Sequence, residues 1–189
     1  MADEITIAFD GVEVKTRPGK MVLEAAIEAG IYIPYLCYHP GMKPYGACRM
    51  CVVEVEGGRG YPASCTLPVQ DGMKIRNETD DVQDLRRSIM EMLVAEHPSG
   101  CLTCHRASIC GPGNVCLRHV SVNDRCVTCL KNERCELKDT VRYLGMGLES
   151  PLEYKYRKLP LEAGDPFYDR DYNLCIVCGR CVRACEELR

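Results

Sequence analysis

Residues 37–55 read CYHPGMKPYGACRMCVVEV. Three cysteines of this stretch and one that follows it have the spacing C-x10-C-x2-C-x13-C: Cys37, Cys48, Cys51 and Cys65. Gly46 and Ala47 stand just before the central pair. Because small residues let a loop wrap closely around a buried group, its backbone N–H groups can reach inorganic sulfide. Four thiolates on such a loop fit a 2Fe-2S cluster.

Zinc is the alternative occupant of this first site. It also accepts four thiolates, in tetrahedral geometry. Structural zinc sites usually pair two short C-x2-4-C knuckles, whereas this spacing contains only one. We therefore favour the cluster at this position.

The residues around the stretch predict a small α+β domain over residues 1–78. Apolar residues alternate over 5–9 and 12–16 on either side of the turn pair Asp10-Gly11, which predicts a β-hairpin. Apolar residues at helical spacing follow over 22–27. Further strands are expected at 51–56, 61–67 and 73–76. This order of elements predicts a β-grasp arrangement.

The run from Cys37 to Val55 resembles the N-terminal ferredoxin domain of the complex I electron-input (75 kDa-like) subunit. The same module opens iron-only hydrogenases, the diaphorase small subunit of NAD-linked hydrogenases and some NAD-dependent formate dehydrogenases. The resemblance implies one 2Fe-2S cluster in the first domain.

A second segment, residues 79–145, begins with a predicted helix over 80–96 and then carries seven cysteines with almost no apolar periodicity. Metal ligation must therefore order it. Four of its residues have the spacing H-x3-C-x2-C-x5-C: His97, Cys101, Cys104 and Cys110. This is similar to the histidine-ligated 4Fe-4S site of the same family. A short helix from Glu136 to about residue 144 is expected to close the segment.

A second triad repeats the C-x2-C-x5-C spacing: Cys126, Cys129 and Cys135. Residues 109–125, which include Cys116, resemble an insertion within a duplicated site. One histidine and seven cysteines divide evenly into two 4Fe-4S clusters. Spacing leaves the division open, because His97 can join either triad, with the remaining four cysteines forming the other set. Zinc on two C-x2-C knuckles would leave three cysteines unused.

The last segment, residues 146–189, is predicted to be a connector followed by the start of a bacterial-type 4Fe-4S ferredoxin domain. Its four cysteines have the spacing C-x2-C-x2-C-x3-C: Cys175, Cys178, Cys181 and Cys185. In two-cluster ferredoxins the fourth cysteine of this run ligates the other cluster. The run therefore needs ligands beyond Arg189, and we expect the natural chain to continue or a partner to complete the site.

Composition narrows the setting in which this chain works. The net charge is −3 and the basic residues are scattered, which disfavours nucleic acid as a partner. The N-terminus has no secretory pattern, and no stretch approaches the roughly 20 apolar residues of a membrane span. We expect a cytoplasmic protein in which thiols bind metal rather than form disulfides.

The sequence predicts an electron relay rather than an enzyme with its own catalytic residues. The resemblance implies that it would carry electrons between a flavin- and NAD(H)-binding subunit and a further redox subunit, of hydrogenase, formate dehydrogenase or complex I type, in a hetero-oligomer. One alternative is the N-terminal part of a larger catalytic oxidoreductase chain. A module ordered by zinc is the other.

Overall fold

The structure is a computed structural model of the 189-residue chain. It describes residues 4–98, 101–102, 104, 106, 109–111, 113–116, 126–129, 131–146, 152–153, 155 and 157–188. The chain forms two compact units, one of Met1–Arg86 with Cys178–Arg189 and one of Arg87–Val177. None of the described helices has the length and apolar character that a bilayer crossing requires.

The first unit opens with the predicted hairpin. Strand β1, Ile5–Phe9, pairs antiparallel with strand β2, Val12–Thr16, and the register places Ile7 opposite Val14. Asp10 and Gly11 at the turn both adopt positive φ, 48° and 87°. Two such residues are what a two-residue hairpin turn of matching twist requires. The hairpin prediction is confirmed.

One helix and two short strands complete the sheet of this unit. Helix α1 covers Val22–Glu28, strand β3 covers Glu54–Val55 and strand β4 covers Lys74–Arg76. The strand order is β2-β1-β4-β3, with β1 and β4 parallel and the other pairs antiparallel. The domain is therefore a mixed α+β fold in which a hairpin, a helix and two of the three further predicted strands follow one another.

The strand expected at 61–67 does not form. This stretch contributes only an isolated bridge between Val52 and Ala63. Residues 64–66 make a turn instead, in which the Thr66 N–H donates to the Ala63 carbonyl at 3.0 Å. The turn carries Cys65, so the chain bends at the residue whose thiol contacts those of Cys37 and Cys51.

The core of the first unit contains both ordinary apolar side chains and cysteines. Its most buried members include Ile7, Phe9, Val22, Leu23, Ile33, Cys51, Cys65 and Ile75. Helix α1 presents its apolar face to the sheet, which is the usual way for an amphipathic helix to bury such a face. Two predicted ligands are thus fixed by apolar packing.

Helix α2, Asp80–Ala95, follows the sheet and agrees with the predicted helix. Near its start the Thr79 hydroxyl accepts from the Val82 N–H at 3.4 Å. Arg86 on this helix is fully buried and donates to the carbonyls of Val52, at 2.8 Å, and Asn77, at 3.1 Å. It therefore ties the start of the helix to the loop after Cys51, a contact that the sequence did not predict.

The described residues of the second unit that follow α2 form little regular structure. Helix α3, Glu136–Tyr143, matches the predicted closing helix, and Cys135 caps it by accepting from the Lys138 N–H at 3.4 Å. Short 3-10 turns cover Cys126–Thr128, Asn132–Arg134 and Tyr172–Leu174.

The final helix, α4, covers Arg180–Leu188. It packs in the first unit although it lies at the other end of the sequence. The sequence pattern did not predict this helix.

Candidate metal centres

The four cysteines of the first predicted site come together in the first unit. The Cys37 thiol is hydrogen-bonded to the thiols of Cys48 and Cys65, and the Cys65 thiol is also hydrogen-bonded to that of Cys51. Cys37, Cys51 and Cys65 are at most 1% exposed. The fold thereby brings four cysteines with the spacing C-x10-C-x2-C-x13-C into one group of four sulfur atoms.

These thiols strongly perturb one another. Hydrogen bonds from Cys48 and Cys65 lower the pKa of Cys37 to about 2, and a bond from Cys65 lowers the pKa of Cys51 to about 7. The pKa values of Cys48 and Cys65 are raised, chiefly because each donates to the Cys37 sulfur. Buried thiolates so close together repel unless a cation compensates them. Full ionisation of the set therefore calls for bound metal.

The loop that carries Cys37 and Cys48 has the backbone of a tight cradle. The Cys48 N–H points to the Cys37 sulfur at 3.5 Å. Gly46 has φ +68°, and a Cβ atom there would meet Thr66 Cγ2 at 3.2 Å. Arg49, between the two central cysteines, also adopts a positive φ, 54°. Such backbone strain is concentrated at functional loops.

The donor set fits a 2Fe-2S group. Four thiols converge, one backbone N–H already points at a sulfur, and a side chain at Gly46 would crowd Thr66. In the described part of the chain, no three or more Cys, His, Asp and Glu side chains are arranged to hold a single metal ion. His39 is exposed, and its Nδ1 accepts from the Gly41 N–H at 3.2 Å.

In the second unit a cavity of about 430 Å³ brings together four of the predicted middle ligands: His97, Cys126, Cys129 and Cys135. Burial lowers the pKa of His97, so its imidazole is held in the neutral form that binds metals. The charged residues that line the same cavity are of both signs: Lys131, Lys138, Asp169 and Asp171. The cavity therefore collects thiols and one imidazole, which are donors that metals accept.

The first middle triad meets the second at one point. The thiols of Cys101 and Cys126 are hydrogen-bonded, which, with burial, raises the pKa of Cys126. In both C-x2-C pairs the N–H of the second cysteine donates to the carbonyl of the first, at 3.1 Å for Cys104 to Cys101 and 3.0 Å for Cys129 to Cys126. The remaining members of the first group are half-buried: Cys104, Cys110 and Cys116.

The last cysteine run is divided between the two units. In the second unit Cys175 is exposed, and its sulfur accepts from the Val177 N–H at 3.4 Å. Val177 adopts φ +55°, which is strained for a β-branched residue. In the first unit Cys178 is half-buried, whereas Cys181 and Cys185 are exposed on α4.

The sequence did not predict that two arginines lie beside predicted ligands. Arg157 donates from Nη1 to the Cys175 carbonyl at 2.7 Å, and Arg183 donates to the Cys37 carbonyl. Arg183 lies inside the last cysteine run, between Cys181 and Cys185. The position of Arg183 inside a ligand motif was the sequence signal that could have pointed to it.

Comparison with known proteins agrees with a 2Fe-2S site in the first unit. Residues 2–80 match the family described as a 2Fe-2S iron-sulfur cluster binding domain. An NADH-quinone oxidoreductase subunit of Rickettsia typhi is 32% identical over 184 residues, which cover 97% of this chain and 23% of the relative. The NADH-ubiquinone oxidoreductase 75 kDa subunit of Reclinomonas americana shows the same identity and coverage. This chain therefore spans about a quarter of the length of these curated relatives.

A solved structure extends the likeness to the fold. A chain of NAD+-reducing [NiFe]-hydrogenase, in its H2-reduced state, is 34% identical and superposes with a TM-score of 0.76. The match covers 97% of this chain and 67% of that chain. The chain belongs to the iron-sulfur protein family that includes this NADH-quinone oxidoreductase subunit, its 75 kDa counterpart and this hydrogenase chain.

Proposed function

We propose that the chain is an iron-sulfur electron-transfer module that relays single electrons between a flavin- and NAD(H)-binding partner and another redox centre. The observation that carries the proposal is the convergence of four cysteines, three of them buried and Cys48 half-buried, within a 2Fe-2S domain. When bound, iron-sulfur clusters supply one-electron chemistry, and the protein holds them and tunes their potentials. No residue of the chain is assigned a catalytic role.

The first cluster is a 2Fe-2S centre held by Cys37, Cys48, Cys51 and Cys65. The burial of Cys37, Cys51 and Cys65 supports the assignment, because apolar side chains around a site limit solvent access and influence the potential of a cluster. The Cys48 N–H stabilises negative charge on the Cys37 sulfur, as a backbone donor beside a thiolate does.

The middle segment holds two 4Fe-4S clusters, and we assign one of them to His97, Cys126, Cys129 and Cys135. Their common cavity supports this division over its alternative. The second cluster then uses a set of cysteines contained within 16 consecutive residues: Cys101, Cys104, Cys110 and Cys116. The hydrogen bond between Cys101 and Cys126 makes Cys101 the competing ligand, and EPR of single-ligand variants can resolve the competition.

The last run contributes to one or two further 4Fe-4S clusters through Cys175, Cys178, Cys181 and Cys185. The proposal rests on the spacing of a bacterial ferredoxin run.

The partners we propose are a flavin- and NAD(H)-binding subunit and a further redox subunit, in a hetero-oligomer. The relatives support this, because their names describe subunits of NADH-quinone oxidoreductases, and the solved relative is a chain of an NAD+-reducing hydrogenase. We place the chain in the cytoplasm, a reducing compartment in which thiols stay available to iron.

A second candidate is the N-terminal part of a larger catalytic oxidoreductase. The relatives favour it, because the matched region is only 23% of their length. In that case the same clusters would serve an active site on the same polypeptide. The length of the native polypeptide, measured by mass spectrometry from its source, distinguishes the two.

The ligand sets are tested by pulsed EPR of the dithionite-reduced chain, which detects the ¹⁴N coupling of an imidazole bound to a cluster. We expect the coupled signal in the unmodified chain and its loss in both Cys129→Ser and His97→Ala. Cys104→Ser should keep it, because that cysteine belongs to the other set. Loss in Cys104→Ser with retention in Cys129→Ser would reverse the assignment of His97.

A further inference from the structure

Arg183 is buried where α4 meets the loop that begins at Cys37. Its side chain is 7% exposed, and it donates from Nη1 to the Lys43 carbonyl at 2.7 Å and from Nη2 to the Cys37 carbonyl. The guanidinium carbon also lies 5.1 Å from the centroid of the Tyr45 ring. A single cation therefore contacts the start, middle and end of the 37–45 loop.

Neighbouring contacts show that loop and helix form one packed structure. The Lys43 N–H donates to Glu187 Oε2 at 2.9 Å. A Cβ atom at Gly179, just before the helix, would lie 3.6 Å from Tyr45 Cε1, so the backbone approaches the ring closely. The position of the Cys37 loop is thus set by residues almost 150 positions away in sequence.

Among the described residues no carboxylate forms an ion pair with Arg183, and its Nε is buried without a hydrogen-bond partner. A buried charge is costly unless an opposite charge compensates it. Tyr45 and two carbonyl dipoles offset part of that cost, and they supply no full negative charge.

We propose that the 2Fe-2S cluster on Cys37 is the counter-charge of Arg183, and that Arg183 is a positioning residue that also raises the reduction potential of this cluster. A cluster held by four thiolates is anionic, and it gains one more negative charge when one electron enters. A nearby fixed cation stabilises the reduced form more than the oxidised form. The inference deepens the proposed function and rests on the 2Fe-2S assignment.

The test is an anaerobic redox titration of the 2Fe-2S EPR signal in the full chain, with dithionite as the reductant. Arg183→Gln removes the charge and should lower the equilibrium constant for one-electron reduction about tenfold, which is about 59 mV towards negative potential. Arg183→Lys keeps a charge and should stay closer to the unmodified chain. Arg76→Gln is the matched control, because it removes an exposed arginine of the same unit, and it should leave the potential unchanged.

Glu187→Gln provides an independent test if Arg183→Gln does not bind its cluster. It removes an exposed negative charge from the same helix and should shift the potential in the opposite direction. A 2Fe-2S potential that is identical in the unmodified chain and in whichever of these two variants holds the cluster would overturn the inference. Absence of any 2Fe-2S signal in the unmodified chain would instead overturn the proposed function.

Discussion

The first cysteine site and the middle cysteine sites are built in different ways. Cys37, Cys51 and Cys65 are at most 1% exposed and belong to or border an apolar core formed by a sheet and a helix. The seven middle cysteines are all half-buried. The described buried apolar residues near them are few: Leu102, Leu137, Val141 and Leu144.

Apolar packing positions the thiols of the first unit, whereas the described part of the middle segment offers little packing to hold its cysteines. On our proposal, metal completes a site that packing has already formed in the first unit. In the middle segment the proposed clusters supply the cross-links that a core would otherwise provide. Removing metal should therefore affect the two regions unequally.

Iron removal is expected to have the largest effect. Anaerobic chelation should abolish amide exchange protection around Cys126–Thr128 and Asn132–Arg134, whereas the β1 and β2 hairpin should keep most of its protection. Hydrogen exchange followed by mass spectrometry measures both regions in one sample. Simultaneous loss of protection in the hairpin would show that the first unit also depends on metal for its fold.

Loss of a single middle ligand should have a smaller effect of the same kind. Cys129→Ser is expected to remove one 4Fe-4S cluster and to make the middle segment sensitive to protease, because metal binding there is folding energy. Iron content and limited proteolysis measure the two effects. Thr128→Ser, which changes the adjacent residue without touching a thiol, is the control, and unchanged iron in Cys129→Ser would contradict the assignment.

Loss of apolar packing should affect the first unit alone. Leu23 is fully buried on α1, and Leu23→Ala should lower the free energy of unfolding of that unit by about 2–5 kcal/mol. Ile27 on the same helix is 42% exposed, so Ile27→Ala should cost less than about 1 kcal/mol. Denaturant unfolding followed by the 2Fe-2S absorption checks the pair. Equal effects of the two substitutions would argue against packing as the source of order here.

Replacement of the histidine should have the smallest effect on stability. His97→Ala is expected to change the EPR spectrum of one 4Fe-4S cluster and to leave the 2Fe-2S spectrum unaltered. A cluster that has a neutral imidazole in place of one thiolate carries less negative charge at that iron. Loss of the imidazole changes the ligand and the charge there, so it should be visible in the spectrum. An unaltered 4Fe-4S spectrum would remove His97 from the ligands.

The sequence predicted those features that depend on neighbouring residues. The hairpin follows from alternation on either side of Asp10-Gly11, and α3 forms where a short helix after Cys135 was expected. The four cysteines of the first site were found from their spacing and from Gly46, which lies in the same loop as three of them. Local chemistry was enough in each case.

The features that the sequence did not predict depend on distant contacts. The stretch 61–67 has strand-like residues, but the turn that carries Cys65 interrupts it. Arg86 and Arg183 resemble surface arginines in sequence, and both are buried because carbonyls far along the chain accept their hydrogen bonds. Spacing alone also could not divide the middle ligands, for which the cavity beside His97 provides the argument.

The most direct test of the account is the amount of iron and acid-labile sulfide per chain after anaerobic purification. We predict a coloured protein that contains both in similar amounts, with enough for one 2Fe-2S and two 4Fe-4S clusters. A folded, colourless chain that contains neither iron nor sulfide, or zinc in their place, would contradict the claim that its cysteines hold an electron relay.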